Sequence, residues 1–295
     1  MKAQTLKNIG AGFLPRAHLL KRERSYQPLR ASSEQPPEAA GPRFRSKILV
    51  LGFYLLLFTV WQLIFVFHFV PDYIFPSPWQ VGKRLWELAT DGYLWPSIKA
   101  TLTRMLIGYM IALGIGIGVG LLMGLSVIAN RCMKSLFLGL QTLPTAAWVP
   151  ISLLIFGLSD KGIFFVIIMS AAPAVAIATS DGILQIPPIY LRAARTLGTP
   201  RYAMPLRVVF PAALPSIVTG IKLGWTLGWH GAVSAELIKS SVGLGFLLSM
   251  GRELNDAPQV VGIMLLTIAF GLLLDRFLFG LLEAQLRRRR GLTKE

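Results

Sequence analysis

Ile186-Pro187-Pro188-Ile189-Tyr190-Leu191-Arg192-Ala193-Ala194-Arg195-Thr196-Leu197-Gly198-Thr199-Pro200-Arg201-Tyr202-Ala203-Met204-Pro205-Leu206-Arg207-Val208-Val209-Phe210-Pro211 decides how this chain is read. Arg192, Arg195, Arg201 and Arg207 lie in it without one carboxylate, between two apolar blocks long enough to cross a bilayer. The spacing predicts two short helices. Pro188 suits a first turn, Leu191, Ala194 and Leu197 then share a face, and Gly198 fits a left-handed stop. Thr199-Pro200 restarts a helix as cap and first-turn proline, and Phe210-Pro211 closes it. Pro205 is expected to bend or shorten that second helix.

Outside this stretch the composition is that of a membrane protein. Of 295 residues, 54% are hydrophobic and 15% charged, with a mean hydropathy of +0.58. The net charge of +16 does not point to nucleic acid, because the basic residues cluster between long apolar runs. Cys132 is the one cysteine, so neither an internal disulfide nor a thiol-rich metal site can form; it reads as a plain thiol. The histidines are His18, His68 and His230, and neither a phosphate-binding loop nor a zinc-protease or serine-hydrolase motif is present. No catalytic residue is expected, and any ATP would have to be bound by another chain.

The expected fold is an all-α membrane protein with six transmembrane helices, at about 48–70, 98–123, 135–157, 163–183, 214–238 and 259–282. Residues 1–46 read as a basic, disordered tail, 47–285 as the transmembrane domain, and 286–295 as a second basic tail. His68 is read as interfacial. Trp79, Trp86, Tyr93 and Trp95 fit an aromatic belt beside an amphipathic stretch, Trp79 to Leu88. Gly116, Gly120 and Gly124 repeat every four residues and suit close helix packing, static or in a moving helix. Asn130, Arg131 and Lys134 are expected in a short inner loop. Pro144 and Pro150, beside Gln141 and Trp148, imply unwinding within the third span, either as a kink or along a pathway.

Asp181 is expected to pair with basic loop groups or to act in gating. The fifth span is the least lipid-like, with Lys222, Trp225, Trp229, His230 and Glu236. Ionisable groups within a span usually face an interior. Lys222 could instead snorkel, His230 could be a satisfied buried imidazole, and Glu236 could be an interfacial carboxylate, an interhelical partner or part of an outer gate. Gln141, Trp148, Lys222, Trp225, Trp229, His230 and Glu236 are therefore the pathway candidates. With the amino end inside, inner segments hold twenty Lys/Arg and outer segments five, which orients both termini, and residues 187–211, to the cytoplasm.

Arg192-Ala193-Ala194, Gly198 and Val208-x-Phe210-Pro211 resemble the E-A-A-x3-G-x9-I-x-L-P loop of bacterial ABC-importer permeases. Gln141 to Pro215 resembles the nitrate/sulfonate/taurine/bicarbonate branch of that family, and the likeness covers about residues 50–285. Pro76-Ser77-Pro78, Ala235-Glu236 and Gly243-x-Gly245 also have counterparts there. The resemblance implies a type I importer permease of the inner membrane. Its coupling loop, here Leu191, Arg192, Ala193, Ala194, Leu197, Gly198, Arg201, Phe210 and Pro211, would dock on an ATP-binding subunit dimer. Arg192 stands where the motif has Glu, so a contact through that carboxylate is not implied. The further expected partners are a second permease copy, a periplasmic or lipid-anchored solute-binding protein and membrane lipid. ATP and Mg would lie on the partner ATPase, with no cofactor on this chain. The implied cargo is a small anion. The alternative is an ion-coupled carrier or a channel.

Overall fold

The computed structural model describes residues 43–67, 71, 74–200, 202–239 and 241–289. The expected amino-terminal tail up to residue 42, the interfacial His68 and the coupling-loop Arg201 lie outside the described residues, as do residues 290–295. The chain divides into two units, Met1–Phe58 and Thr59–Glu295. Helix α1, Arg43–Val66, begins in the first unit, where its side chains from Ile48 to Phe58 are apolar or small and exposed. All that follows concerns the second unit.

The Pro76-Ser77-Pro78 turn starts α2, Pro78–Thr90, through a capping box. The Gln80 amide donates to Ser77 Oγ at 3.2 Å, and the Ser77 amide donates to Gln80 Oε1 at 2.8 Å. Val81 and Leu88 face inward, while Trp79 and Trp86 stay exposed, as an interfacial helix requires.

The long helices are α3 (Leu94–Leu125), α6 (Asp160–Leu184), α8 (Phe210–Lys239) and α10 (Ala257–Arg289). Helix α6 lies at the centre, and α3 and α8 pack on its two sides. Its middle is a run of small residues, from Ser170 to Ala176, that is buried throughout. Glycines on the flanking helices bring the backbones together. A Cβ on Gly120 would sit 2.6 Å from the Ala176 carbonyl oxygen, and one on Gly116 2.7 Å from Val175 Cβ. From α8, a Cβ on Gly224 would sit 2.6 Å from Val175 Cγ2. The glycine stripe expected on the second span thus packs against α6.

The third expected span, 135–157, is not one helix. Helix α4, Val127–Gln141, ends before Pro144; a 3-10 turn, Thr145–Ala147, follows, and α5, Trp148–Phe156, leaves at 96° to α4. Pro144 causes the break, since the residue before a proline avoids helical backbone. Pro150 does not unwind anything: it lies in the first turn of α5, where no amide is needed. Asn130, Arg131 and Lys134 fall in α4, not in a loop, because Ser126 caps that helix early, its Oγ accepting from the Ala129 amide at 3.4 Å.

The bent pair still carries the chain across. Helices α3 and α6 run parallel, Gly108 opposite Ile167 and Gly124 opposite Ile183. The segment between them therefore returns the chain to the end where α3 began. Lys134 Nζ contacts Asp181 Oδ1 at 2.5 Å at one end, and Arg104 Nε contacts Asp160 Oδ1 at 2.9 Å at the other. Asp181 thus pairs with Lys134. Counting the pair as one broken crossing gives six apolar crossings among the described residues.

Gly118 faces open space, whereas Gly120 meets α6 backbone. Gly118→Ala is expected to leave stability unchanged or raise it by up to about 1 kcal/mol. Gly120→Ala should cost about 1–3 kcal/mol through forced separation of α3 from α6. Unfolding midpoints of the detergent-solubilised protein check this; equal shifts for the two variants would contradict the packing.

Candidate functional site

Three polar or amphipathic regions stand out on this scaffold. The first is the elbow between α6 and α8. Helix α7, Pro188–Thr196, is one short amphipathic helix. It ends in a Schellman motif: the Thr199 amide donates to the Ala194 carbonyl and the Gly198 amide to the Arg195 carbonyl, each at 3.0 Å. Gly198 has φ +78°, the left-handed stop its position predicts. Leu191 packs on a small core of Ile183, Ile186, Val209, Ala213 and Ile217, and Ala194 is buried too. Leu197 does not share their face. It caps the helix, points outward and is 85% exposed. Arg192 and Ala193 are exposed as well.

The second expected short helix is absent. Pro205–Val209 forms a π-helical turn, the Phe210 amide donating to the Pro205 carbonyl, and the chain runs straight into α8. Phe210-Pro211 therefore opens a long helix and does not close a short one. The wider π turn accommodates the missing amides and ring bulk of Pro205 and Pro211. Phe210 rests on the small core, and Pro211 is exposed. Ile189, Tyr190, Tyr202 and Leu206 add to Leu197 as exposed apolar groups on this elbow. Their hydrophobicity amid arginines is the sequence signal for this patch.

The second region is a cavity of about 580 Å³ between α8 and α10. Lys222, Trp225, Trp229 and His230, all pathway candidates, line it. Lys222, Thr226, His230 and Ser234 recur every four residues and so form a polar stripe along α8. From α10 come Thr267 and Asp275. Lys222 Nζ lies 3.3 Å from Asp275 Oδ2, an ion pair across the cavity. The other Asp275 oxygen, Oδ1, and the Trp225 Nε1 hydrogen are buried without a hydrogen-bond partner. Trp225 is held edge-on by Tyr109 at 5.1 Å, and the Tyr109 hydroxyl donates to the Ile221 carbonyl. Thr226 and Thr267 were not singled out from sequence, although the four-residue spacing of Thr226 with Lys222 and His230 was visible; Asp275, expected to snorkel, instead pairs with Lys222.

Three other candidates lie elsewhere. Gln141 is exposed at the end of α4. Trp148 is buried in the main core, its ring 6.3 Å from that of Phe165. Glu236 belongs to the third region, at the α3 start. It is 0% exposed and bonds Thr101 Oγ1 at 2.7 Å, Arg104 Nη1 at 3.1 Å and the Gly245 amide at 3.2 Å. Thr101 Oγ1 in turn accepts from the Leu244 amide at 2.8 Å. Glu236 therefore ties α8 to α3 and to the start of α9, Leu244–Glu253, and is an interhelical partner, not an interfacial carboxylate. Nearby, Arg84 Nε reaches Asp256 Oδ2 at 2.6 Å, clamping α2 to the turn before α10. Burial lowers the Arg84 pKa, but bonds to Glu87 and Asp256 outweigh it, so the net shift is upward.

Glu236→Ala removes the buried acceptor that Thr101, the Gly245 amide and Arg104 share, an expected loss of on the order of 3 kcal/mol. Asp160→Asn touches the same arginine through an exposed carboxylate and should cost about 1 kcal/mol or less. Thermal unfolding of both variants compares them; a larger loss for Asp160→Asn would refute the assignment of Glu236 as the centre of the cluster.

The profile of the binding-protein-dependent transport system inner membrane component family matches residues 111–291. The taurine transport system permease protein TauC of Escherichia coli (strain K12) is 31% identical over 233 residues, covering 77% of this chain and 85% of TauC. The bicarbonate transport system permease protein CmpB of Synechococcus elongatus is 38% identical over 187 residues, 63% of this chain and 67% of CmpB. The nitrate import permease protein NrtB of Leptolyngbya laminosa is 32% identical over 241 residues, 78% of this chain and 84% of NrtB. Among solved structures, an inward-facing MetNI methionine ABC transporter matches with a TM-score of 0.56 at 19% identity, over 70% of this chain and 99% of that one. That likeness is one of fold.

Proposed function

The chain belongs to the binding-protein-dependent transport system inner membrane components, as a multi-pass permease subunit of an ABC importer, and from that membership we propose how it works and what it carries. Its task is transport, and ATP hydrolysis falls to a separate ATP-binding chain. The cargo is a small oxyanion-bearing solute of the kind that the names of its relatives give, taurine, nitrate or bicarbonate. Both termini and the α7 elbow face the cytoplasm, in keeping with twenty Lys/Arg on that side against five on the other. Two permease copies form the pathway, the polar stripe of α8 lines it, and a solute-binding protein delivers the cargo from outside.

The observation that carries this reading is the elbow. Leu197 and Tyr202, each 85% exposed, stand with Ile189, Tyr190 and Leu206 on the elbow formed by α7, the turn after it and the π turn, and α7 is fixed from behind by Leu191 and Ala194. Such a patch on a rigid mount suits a groove on a partner. The partner ATPases close on ATP, the elbow moves with them, and α8, continuous with it through the π turn, tilts. The ion-coupled carrier is less well supported, because Glu236, its best coupling group, is engaged by Arg104 and Thr101.

Leu197→Asp and Gly198→Val are expected to abolish uptake and cut ATPase co-purification by about tenfold or more, while membrane insertion stays intact. The first puts a charge in the patch and the second forces a β-branched residue to φ +78°. Full uptake with wild-type ATPase yield in both variants would overturn the docking role.

A further inference from the structure

The outward face of α3 changes character along its length. Trp95, Lys99 and Thr103 follow one another at four-residue intervals, and all three are exposed. Leu106, Ile107 and Met110 continue that face, exposed and apolar. A groove of about 350 Å³ opens on the polar part, lined by Pro96, Lys99, Ala100, Thr103 and Arg104 of α3 and by Asp160 at the start of α6. Helix α3 has 32 residues. That is about 48 Å, against a hydrocarbon core of about 30 Å, so about 9 Å or roughly six residues is left over at each end. Lys99 therefore sits where the headgroups begin. Trp95 and Tyr93, both exposed, mark the same level as interfacial aromatics.

The polar groups of the groove are not equally available. Arg104 is committed to Asp160, Glu236 and the Val242 carbonyl. Among the described residues, Lys99 and Thr103 have no hydrogen-bond or ion-pair partner. Thr103 is unlike other exposed threonines on these helices. The hydroxyls of Thr90, Thr196, Thr219 and Thr226 each donate to a carbonyl one turn back on their own helix. The Thr103 hydroxyl makes no such bond and stays open to whatever lies against α3. A lysine alone would snorkel to water. A lysine with an unspent hydroxyl one turn deeper offers two donors to one acceptor group, at the depth where water runs out.

Two features narrow the occupant. The apolar stripe below the groove suits an acyl chain and gives a free small anion nothing to hold. The Asp160 side chain is 60% exposed on the α6 side of the groove, so it would repel an anionic headgroup that carried no cation of its own. We propose that this groove is a binding site for a phospholipid with an ethanolamine headgroup. Its phosphate takes Lys99 and the Thr103 hydroxyl, its ammonium takes Asp160, and one acyl chain lies along Leu106, Ile107 and Met110. The lipid occupies the leaflet opposite the elbow and bridges α3 to the start of α6, which the Arg104–Asp160 pair already joins. The proposal needs only that α3 crosses a bilayer, so it stands or falls apart from the docking role of the elbow.

Native mass spectrometry of the full-length protein tests it, after delipidation in detergent and titration with one compound at a time. The compounds are phosphatidylethanolamine, phosphatidylglycerol, diacylglycerol and inorganic phosphate. Phosphatidylethanolamine is expected to bind saturably, one per chain. Phosphatidylglycerol should bind at least about threefold more weakly, and diacylglycerol and inorganic phosphate at least about tenfold more weakly, for want of the ammonium, the phosphate and the acyl chain respectively. Lys99→Ala should weaken phosphatidylethanolamine at least about tenfold. Lys161→Ala, an equally exposed lysine beside Asp160 but outside the groove, should leave it unchanged. Asp160→Asn should bring the two phospholipids level. Diacylglycerol binding as tightly as phosphatidylethanolamine, an unchanged affinity in Lys99→Ala, or an equal loss in Lys161→Ala would each overturn the site. So would a headgroup preference that survives Asp160→Asn. Inorganic phosphate binding as tightly as the lipid would overturn it in favour of a free anion.

Discussion

Within a bilayer, lipid tails satisfy apolar side chains as well as protein does, so helices associate only where they fit closely or share hydrogen bonds. Helix α6 supplies the close fit. Its small, buried middle accepts glycines from α3 on one side and from α8 on the other, and Val175 touches both Gly116 and Gly224. Dispersion over such a backbone-to-backbone seam is strong per unit length because no side chain holds the helices apart. The remaining features are hung on this three-helix core. The α8–α10 cavity exists because α8 spends one face on α6 and presents its polar face to the other side.

The charges divide the work differently. At one end Arg104 joins Glu236 and Asp160, and at the other Lys134 joins Asp181. These pairs lock helices distant in sequence and set the register along the bundle axis. Lys222 and Asp275 differ, since their pair borders a cavity that a solute could enter. The elbow uses neither seam nor charge. A Schellman stop, a π turn and a small apolar core hold it to α6 and α8, leaving its outer face apolar and exposed. The π turn, Pro205–Val209, leads directly into the first turn of α8.

Much of this was legible before any coordinates. The apolar runs marked five crossings to within a few residues, because length and hydropathy are local properties. Gly198 announced its left-handed stop, and the Gly116-Gly120-Gly124 spacing announced a packing seam. The errors lay where neighbouring turns compete. Pro150 and Pro211 were read as breaks, yet Pro150 falls in the opening turn of α5, where a proline costs nothing, and Pro211 is accommodated by the π turn that runs into α8. Leu197 was placed on one face with Leu191 and Ala194 by helical periodicity, which stops applying at the residue that ends the helix.

By itself the sequence determined the class, the number of crossings, the basic and exposed character of the elbow and the family it belongs to. Each of these is set by composition, periodicity or a short motif. The tertiary structure alone decided which polar groups meet: Glu236 with Arg104 and Thr101, Lys222 with Asp275, and Trp148 in the core and not in the cavity. The physical reason is that partners more than fifty residues apart are chosen by which helix faces the glycine seams turn toward one another. No pattern along a single helix records that choice.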